Sequence, residues 1–192
     1  MRLFGSPGRR LAIGLGIAGA AALLPIAALA ASGSPGQSEA NRALLARTAP
    51  ASRCLAQATT VWMPSEGNGT AGHTYWVIEF SNIGKTTCTL YGYPGVSAVN
   101  GSGHLVGIPA THSGAKQLVT IRPGGTAHVL LAVTDPGAVC AHPVSASQLR
   151  IYAPGQFVSH LVPFSLQVCP RRSTMHVDAV HPNTGIPFYS IR

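Results

Sequence analysis

The stretch His73-Thr74-Tyr75-Trp76-Val77-Ile78-Glu79-Phe80-Ser81 decides the architecture of this chain. Trp76, Ile78 and Phe80 fall on one face of an extended backbone, and Tyr75, Val77 and Glu79 fall on the other. A period of two, rich in β-branched and aromatic residues, predicts a strand over 73–81. Asn82-Ile83-Gly84-Lys85 then turns the chain into a second extended run, Thr87 to Leu90. Tyr91-Gly92-Tyr93-Pro94-Gly95 follows as a corner, where glycine supplies unusual backbone angles and proline stiffens its neighbour.

The same texture continues on both sides. Cys54 to Trp62 reads as a first strand, with a loop from Pro64 to Gly72 behind it. Val96 to Val99 and Leu105 to Ile108 flank Asn100-Gly101-Ser102-Gly103, a hairpin signal because Asn-Gly tolerates positive φ. Gln117 to Ile121 leads through Arg122-Pro123-Gly124-Gly125 into Thr126 to Val133. In that last run His128 alternates with Val129 and Leu131, so His128 is expected to face solvent. Leu149 to Ala153, Phe157 to Val162, Phe164 to Val168 and Met175 to Val180 complete the series. About seven to nine short strands, with turns every ten or so residues, predict an all-β, immunoglobulin-like antiparallel β-sandwich.

Ahead of this domain, Arg2, Arg9 and Arg10 precede an apolar run from Leu11 to Leu24, and Ala28-Leu29-Ala30 supplies a small-residue cleavage site. Residues 1–30 therefore read as a signal peptide. The alternative, an uncleaved anchor, extends the run through Leu29 to reach the ~20 residues of a membrane span. No cysteine follows Ala30-Ala31 to take a lipid, and Gly8 and Ala12 around Arg9-Arg10 fit a twin-arginine signal poorly. Residues 31–53 read as a flexible linker, with Ser32-Gly33-Ser34-Pro35-Gly36 and a helix-compatible stretch from Glu39 to Ala49. The sandwich domain is placed at 54–182 and a C-terminal tail at 183–192. The expected location is extracellular, secreted or retained at the cell envelope.

An exported strand-rich chain with an even cysteine count calls for disulfides. Antiparallel pairing of the first two strands sets the start of the first, Cys54, beside Cys88 just past the end of the second. The same argument sets Cys140, before the Leu149 strand, beside Cys169 at the far end of its partner. The expected bridges are Cys54–Cys88 and Cys140–Cys169. A four-thiolate metal site is the competing reading, and the absence of any Cys-x-x-Cys spacing argues against it.

The formal charge of +8 drops to +5 without the three leader arginines. The remaining cations are scattered (Lys85, Lys116, Arg122, Arg150), with Arg171-Arg172 as one adjacent pair. That distribution excludes a nucleic-acid footprint, which concentrates cations on one face among aromatics. It leaves attraction to anionic envelope polymers open.

Eight histidines (His73, His104, His112, His128, His142, His160, His176 and His181) show no i, i+2 or i, i+4 pair. Met175-His176 joins a thioether to an imidazole, a combination suited to copper, but two ligands do not make a site. Hydrolytic chemistry lacks a Gly-x-Ser-x-Gly elbow, and only Asp135, Asp178, Glu39, Glu66 and Glu79 supply carboxylates. Asp135 precedes Pro136-Gly137 as a turn residue, and Asp178 alternates with Val177 and Ala179 at an exposed strand position. No catalytic, cofactor-binding or metal-ligating residue is therefore assigned, and no cofactor is expected. Asn68-Gly69-Thr70 and Asn100-Gly101-Ser102 match the glycosylation sequon and read here as turn chemistry.

Tyr91 and Tyr93 are the recognition candidates, paired tyrosines on a stiffened loop. The competing reading makes one of them a corner of the fold, with its ring buried and its hydroxyl bonded.

The order of these motifs resembles the secreted bacterial domain-of-unknown-function 4232 family, common in high-GC Gram-positive bacteria. The matching pieces include Phe80-Ser81-Asn82-Ile83-Gly84 and Thr87-Cys88-Thr89-Leu90-Tyr91-Gly92-Tyr93-Pro94-Gly95-Val96. Further along come Ile121-Arg122-Pro123-Gly124-Gly125, Leu149-Arg150-Ile151-Tyr152-Ala153-Pro154-Gly155 and Pro163-Phe164 before Cys169. The resemblance implies an exported sandwich domain and transfers no catalytic residue. The expected function is a non-enzymatic binding or interaction module whose partner is an envelope protein, an anionic polymer or a glycan. The alternative is an extracellular enzyme or copper-handling protein with a site not legible in the sequence.

Overall fold

The computed structural model describes residues 51–185, together with Glu39 and Arg42 as isolated helical positions. The export segment 1–30, nearly all of the linker and residues 186–192 lie outside the described residues. The chain divides into two units, Met1–Thr48 and Ala49–Arg192, and the second is the one built below.

Among its described residues the thirteen strands are β1 (Ser52–Arg53), β2 (Thr59–Trp62), β3 (Asn68–Thr70), β4 (His73–Asn82), β5 (Cys88–Tyr91), β6 (Gly95–Val99) and β7 (Thr111–His112), then β8 (Leu118–Ile121), β9 (Thr126–Thr134), β10 (Val144–Tyr152), β11 (Ser159–Val168), β12 (Met175–Val177) and β13 (His181–Pro182). The 73–81 stretch is the spine. As β4 it pairs antiparallel with β2 on one side and β9 on the other, with Ile78 opposite Val129 and Glu79 opposite His128. The sheet runs β2-β4-β9-β12-β7, with β3 beside β4 and β13 beside β9. Two three-stranded sheets, β1-β5-β8 and β11-β10-β6, complete the all-β architecture.

Alternation explains the core. Ile78 and Phe80 from β4, Leu90 from β5, Ile121 from β8, Leu131 from β9 and Leu149 and Ile151 from β10 are all fully buried in one cluster. Burying each such side chain contributes about 1.5–3 kcal/mol. Strands from all three sheets contribute to this cluster, which joins the layers into one domain.

Several expectations change at the ends of elements. Cys54–Trp62 is not one strand: Ala56–Ala58 forms a 3-10 turn, and β2 begins only at Thr59. Ala-Gln-Ala carries little strand preference, and the Thr59 hydroxyl and Ala58 N–H both return to the Leu55 carbonyl. At Asn100–Gly103 the turn forms, with Asn100 Oδ1 accepting from Ser102 and His104 N–H. The second hairpin strand does not, since Val99 and Leu105 share a single bridge. Phe157–Val162 and Phe164–Val168 fuse into β11, which runs through Pro163 opposite Gln148. β11 is an edge strand, where a missing N–H is tolerated. Met175–Val180 shortens to β12, after which the chain re-enters the sheet as β13.

Candidate functional site

Two disulfides, Cys54–Cys88 and Cys140–Cys169, brace the domain. The first reaches its position by a route other than the antiparallel one. β1 lies parallel to β5, placing Ser52 beside Cys88, and Cys54 N–H donates to the Thr89 carbonyl.

This anchoring builds a groove around Tyr91. Tyr91 ends β5 directly opposite Leu118 on β8. Both point outward, 58% and 66% exposed, because alternation commits Leu90, Val119 and Ile121 to the core. The cavity between them holds about 390 Å³ and is walled by Arg53, Thr89, Pro154 and Gly155. Arg53 crosses to the β10–β11 turn and donates to the Gly155 carbonyl at 3.1 Å, while Gln156 Nε2 donates to the Cys54 carbonyl at 2.8 Å. Gly155 sits at φ 70°, and a Cβ there would lie 3.4 Å from the Arg53 guanidinium. The same turn carries Phe157, 93% exposed. The groove therefore combines an exposed aromatic ring, an apolar neighbour and a guanidinium, with no carboxylate among its lining residues.

Tyr93 goes the other way. Its ring stacks on His112 with centroids 4.7 Å apart, Lys116 Nζ lies 5.4 Å from the ring centre, and its hydroxyl donates to the Gly114 carbonyl. Gly92, at φ 90°, sends the two tyrosines in different directions. Tyr93 is thus a corner of the fold and Tyr91 an exposed ring.

The outer face of β4 and β9 holds the second cluster, and here two expectations are corrected. His128 does not face solvent: it is buried at 7%, its Nδ1 is 3.0 Å from the Asn183 carbonyl, and its ring stacks on His181. Asp178 is not an exposed strand position. Its Oδ1 accepts the Leu130 N–H at 2.7 Å, and its Oδ2 lies 3.1 Å from His181 Nε2. His181 Nδ1 meets Gln117 Nε2 at 2.9 Å. The cover is residues 183–185. Asn183 takes φ 67°, and Thr184 hydroxyl and Gly185 N–H both donate to Oε1 of Glu79, which has no solvent exposure. Glu79 Oε2 has no hydrogen-bond partner among the described residues.

Burial raises the Asp178 carboxyl above the ordinary aspartate value, against the lowering effects of the Leu130 N–H and of His181 and His128. The native state therefore holds this proton to higher pH than the unfolded chain. Across the interval between the two values stability falls as pH rises. Asp178→Asn keeps an oxygen for Leu130 and removes that charge. In denaturant titrations between about pH 4 and 7, the variant should gain on the wild type as pH rises. A constant difference between the two curves would contradict it.

Among the described residues no group of three or more His, Cys, Asp or Glu is placed to hold a metal ion. Met175 is buried in the core while His176 is exposed on the opposite face of β12, so the two side chains do not converge on one metal ion.

A disulfide-braced all-β domain with an aromatic groove and a half-buried carboxylate–imidazole network is the class defined here. The profile of a domain of unknown function (DUF4232) matches residues 54–181, and the chain belongs to that family. No curated protein and no solved structure gives a significant match.

Proposed function

We propose that this chain is an exported, non-enzymatic binding module of the bacterial cell envelope, contacting its partner through the Tyr91 groove. The observation that carries the reading is the pairing of two outward apolar side chains, Tyr91 and Leu118, on strands fixed by Cys54–Cys88 and the Arg53–Gly155 bond. Rigid aromatic rings present contact area at small entropic cost, which suits recognition. Two disulfides fit an oxidising compartment. Two of the carboxylates are engaged in holding the fold: Asp178 on Leu130 and His181, and Glu79 Oε1 on residues 184 and 185.

Crosslinking capture from intact envelopes tests this reading. Wild-type protein should enrich a component that Tyr91→Ala/Leu118→Ala loses by roughly thirtyfold, the scale of a buried aromatic anchor. Ile83→Ala, which trims another exposed apolar residue, should retain it. Equal capture by all three proteins would refute the groove as the contact face.

A further inference from the structure

Leu55, Tyr91, Leu118, Phe157 and Val158 are each more than half exposed, and the fold gathers them at one place, where β1 meets the β10–β11 turn. Arg53 donates to the Gly155 carbonyl and Gln156 Nε2 to the Cys54 carbonyl, so Leu55 and Phe157-Val158 follow directly on bonded residues. Tyr91 and Leu118 face each other across β5 and β8 and line the same recess as Arg53 and Gly155. The chain also enters the domain here. β1 is the first strand among the described residues, so the apolar run from Leu11 to Leu24 joins the domain from this side.

The charges on this face have one sign. Arg53 is exposed and lines the recess, and Lys116, also exposed, stands two positions before Leu118. A Cβ on Gly92, the residue after Tyr91, would lie 3.6 Å from Lys116 Cδ, so the two cations flank the tyrosine. Within residues 51–185 the exposed carboxylates are Glu66 and Asp135, and both belong to the far end of β11. Asp135 shares a recess with Gln167, and Gly67, next to Glu66, packs on the Trp76 ring of that recess. β11 separates the two ends: from Ser159, paired with Tyr152 beside the turn, to Gln167 the strand rises about 26 Å.

We propose that the Tyr91 face docks on the surface of an anionic lipid bilayer, with Leu55, Phe157 and Val158 entering the acyl boundary and Arg53 and Lys116 meeting the headgroups. This rests on the reading above that the Tyr91 face is the contact face, and it names the partner. Exposed apolar side chains flanked by cations, with no carboxylate between them, are complementary to a negatively charged interface. Tyr91 suits the headgroup level, where an apolar ring and a wet hydroxyl are both satisfied, and the long stems of Arg53 and Lys116 let their charges stay in water. Phe157 decides between lipid and protein. At 93% exposure its ring projects from the turn instead of lining a recess, so a folded partner would need a pocket shaped to it, whereas acyl chains close around a ring in any orientation.

The test uses the chain without residues 1–30, so that no leader can insert, and two kinds of vesicle: phosphatidylcholine alone, and phosphatidylcholine with phosphatidylglycerol in equal parts. Co-sedimentation should show binding to the anionic vesicles at least about tenfold tighter than to the neutral ones, the scale of two cations near a charged surface. Phe157→Ser/Val158→Ser should weaken that binding by about tenfold or more with an unchanged melting temperature, whereas Ile83→Ser, at another exposed apolar position, should leave it within about twofold. Orientation is read separately. Phe157→Trp should shift its emission to the blue on anionic vesicles and be quenched by brominated lipid, and Ile83→Trp should do neither. No vesicle binding, equal binding to the two compositions, equal binding by the Phe157/Val158 and Ile83 variants, or a tryptophan at 157 that stays in water would each overturn the proposal. Envelope capture that Tyr91→Ala/Leu118→Ala abolishes, without any vesicle binding, would overturn the lipid assignment alone and leave the Tyr91 face as the contact for another partner.

Discussion

Replacing Cys54 and Cys88 together by alanine should lower the melting temperature by roughly 10 °C or more, the larger of the two effects expected from single bridges. The bridge spans 34 residues and, in the chain-entropy account, its loss costs about 3–4 kcal/mol. Cys140–Cys169 spans 29 residues, so the entropic part is nearly equal. The difference lies in packing. Cys54 and Cys88 are 1% and 5% exposed and both belong to the main core cluster, whereas Cys169, though buried, lies outside that cluster and Cys140 is only half-buried. Losing the first bridge also removes sulfur atoms from a filled interior, with a cavity cost on top. It further frees β1, which brings Arg53 to Gly155, so capture through Tyr91 should fall in the same variant. Thermal unfolding of both double variants, followed by circular dichroism, checks the order. A change under about 2 °C for Cys54→Ala/Cys88→Ala would contradict the account.

The spine of this fold is legible because its signal is local. Period-two alternation in 73–81 and 126–133 places Ile78, Phe80, Val129 and Leu131 in the core from spacing alone. The same alternation also places Glu79 and His128 on the face away from the main core, correctly as to side. What it does not reveal is the cover. Residues 183–185 arrive from the far end of the chain, and nothing near residue 128 signals their contact. Asp178 fails for the same reason, since the Leu130 N–H that its carboxylate accepts is 48 positions away. In the groove, Tyr91 is legible from its stiffened corner. Leu118 has a signal too, an apolar residue on the outward side of Leu118–Ile121, but Arg53 does not: its role depends on the β10–β11 turn, 102 residues distant. Local chemistry fixes faces; long-range closure decides which faces meet water.

The covering segment leads to the second large effect. Ending the chain at Pro182 should cost about 2–4 kcal/mol, because leaving a buried acceptor without its donors costs about 1–3 kcal/mol and the cover over the neighbouring side chains is lost with it. The cut removes both donors to Glu79 Oε1, each at 2.8 Å, and the carbonyl facing His128. It also uncovers Val77, which is fully buried. A simple loss of residues would act equally in any background, so the decisive measurement is a double-mutant cycle with Glu79→Ala. If Glu79 is the seat of the segment, truncation should cost at least about 1 kcal/mol less in the Glu79→Ala chain than in the wild type. Gly185→Val gives an independent reading that keeps every charge. Even a Cβ at that position would lie 2.7 Å from Val77 Cγ1 and 2.8 Å from His128 Cδ2, so the segment must lift or the strands must yield, at about 1–3 kcal/mol. Additive costs in the cycle, together with a Gly185→Val chain as stable as the wild type, would show that residues 183–185 lie on the sheet without holding it.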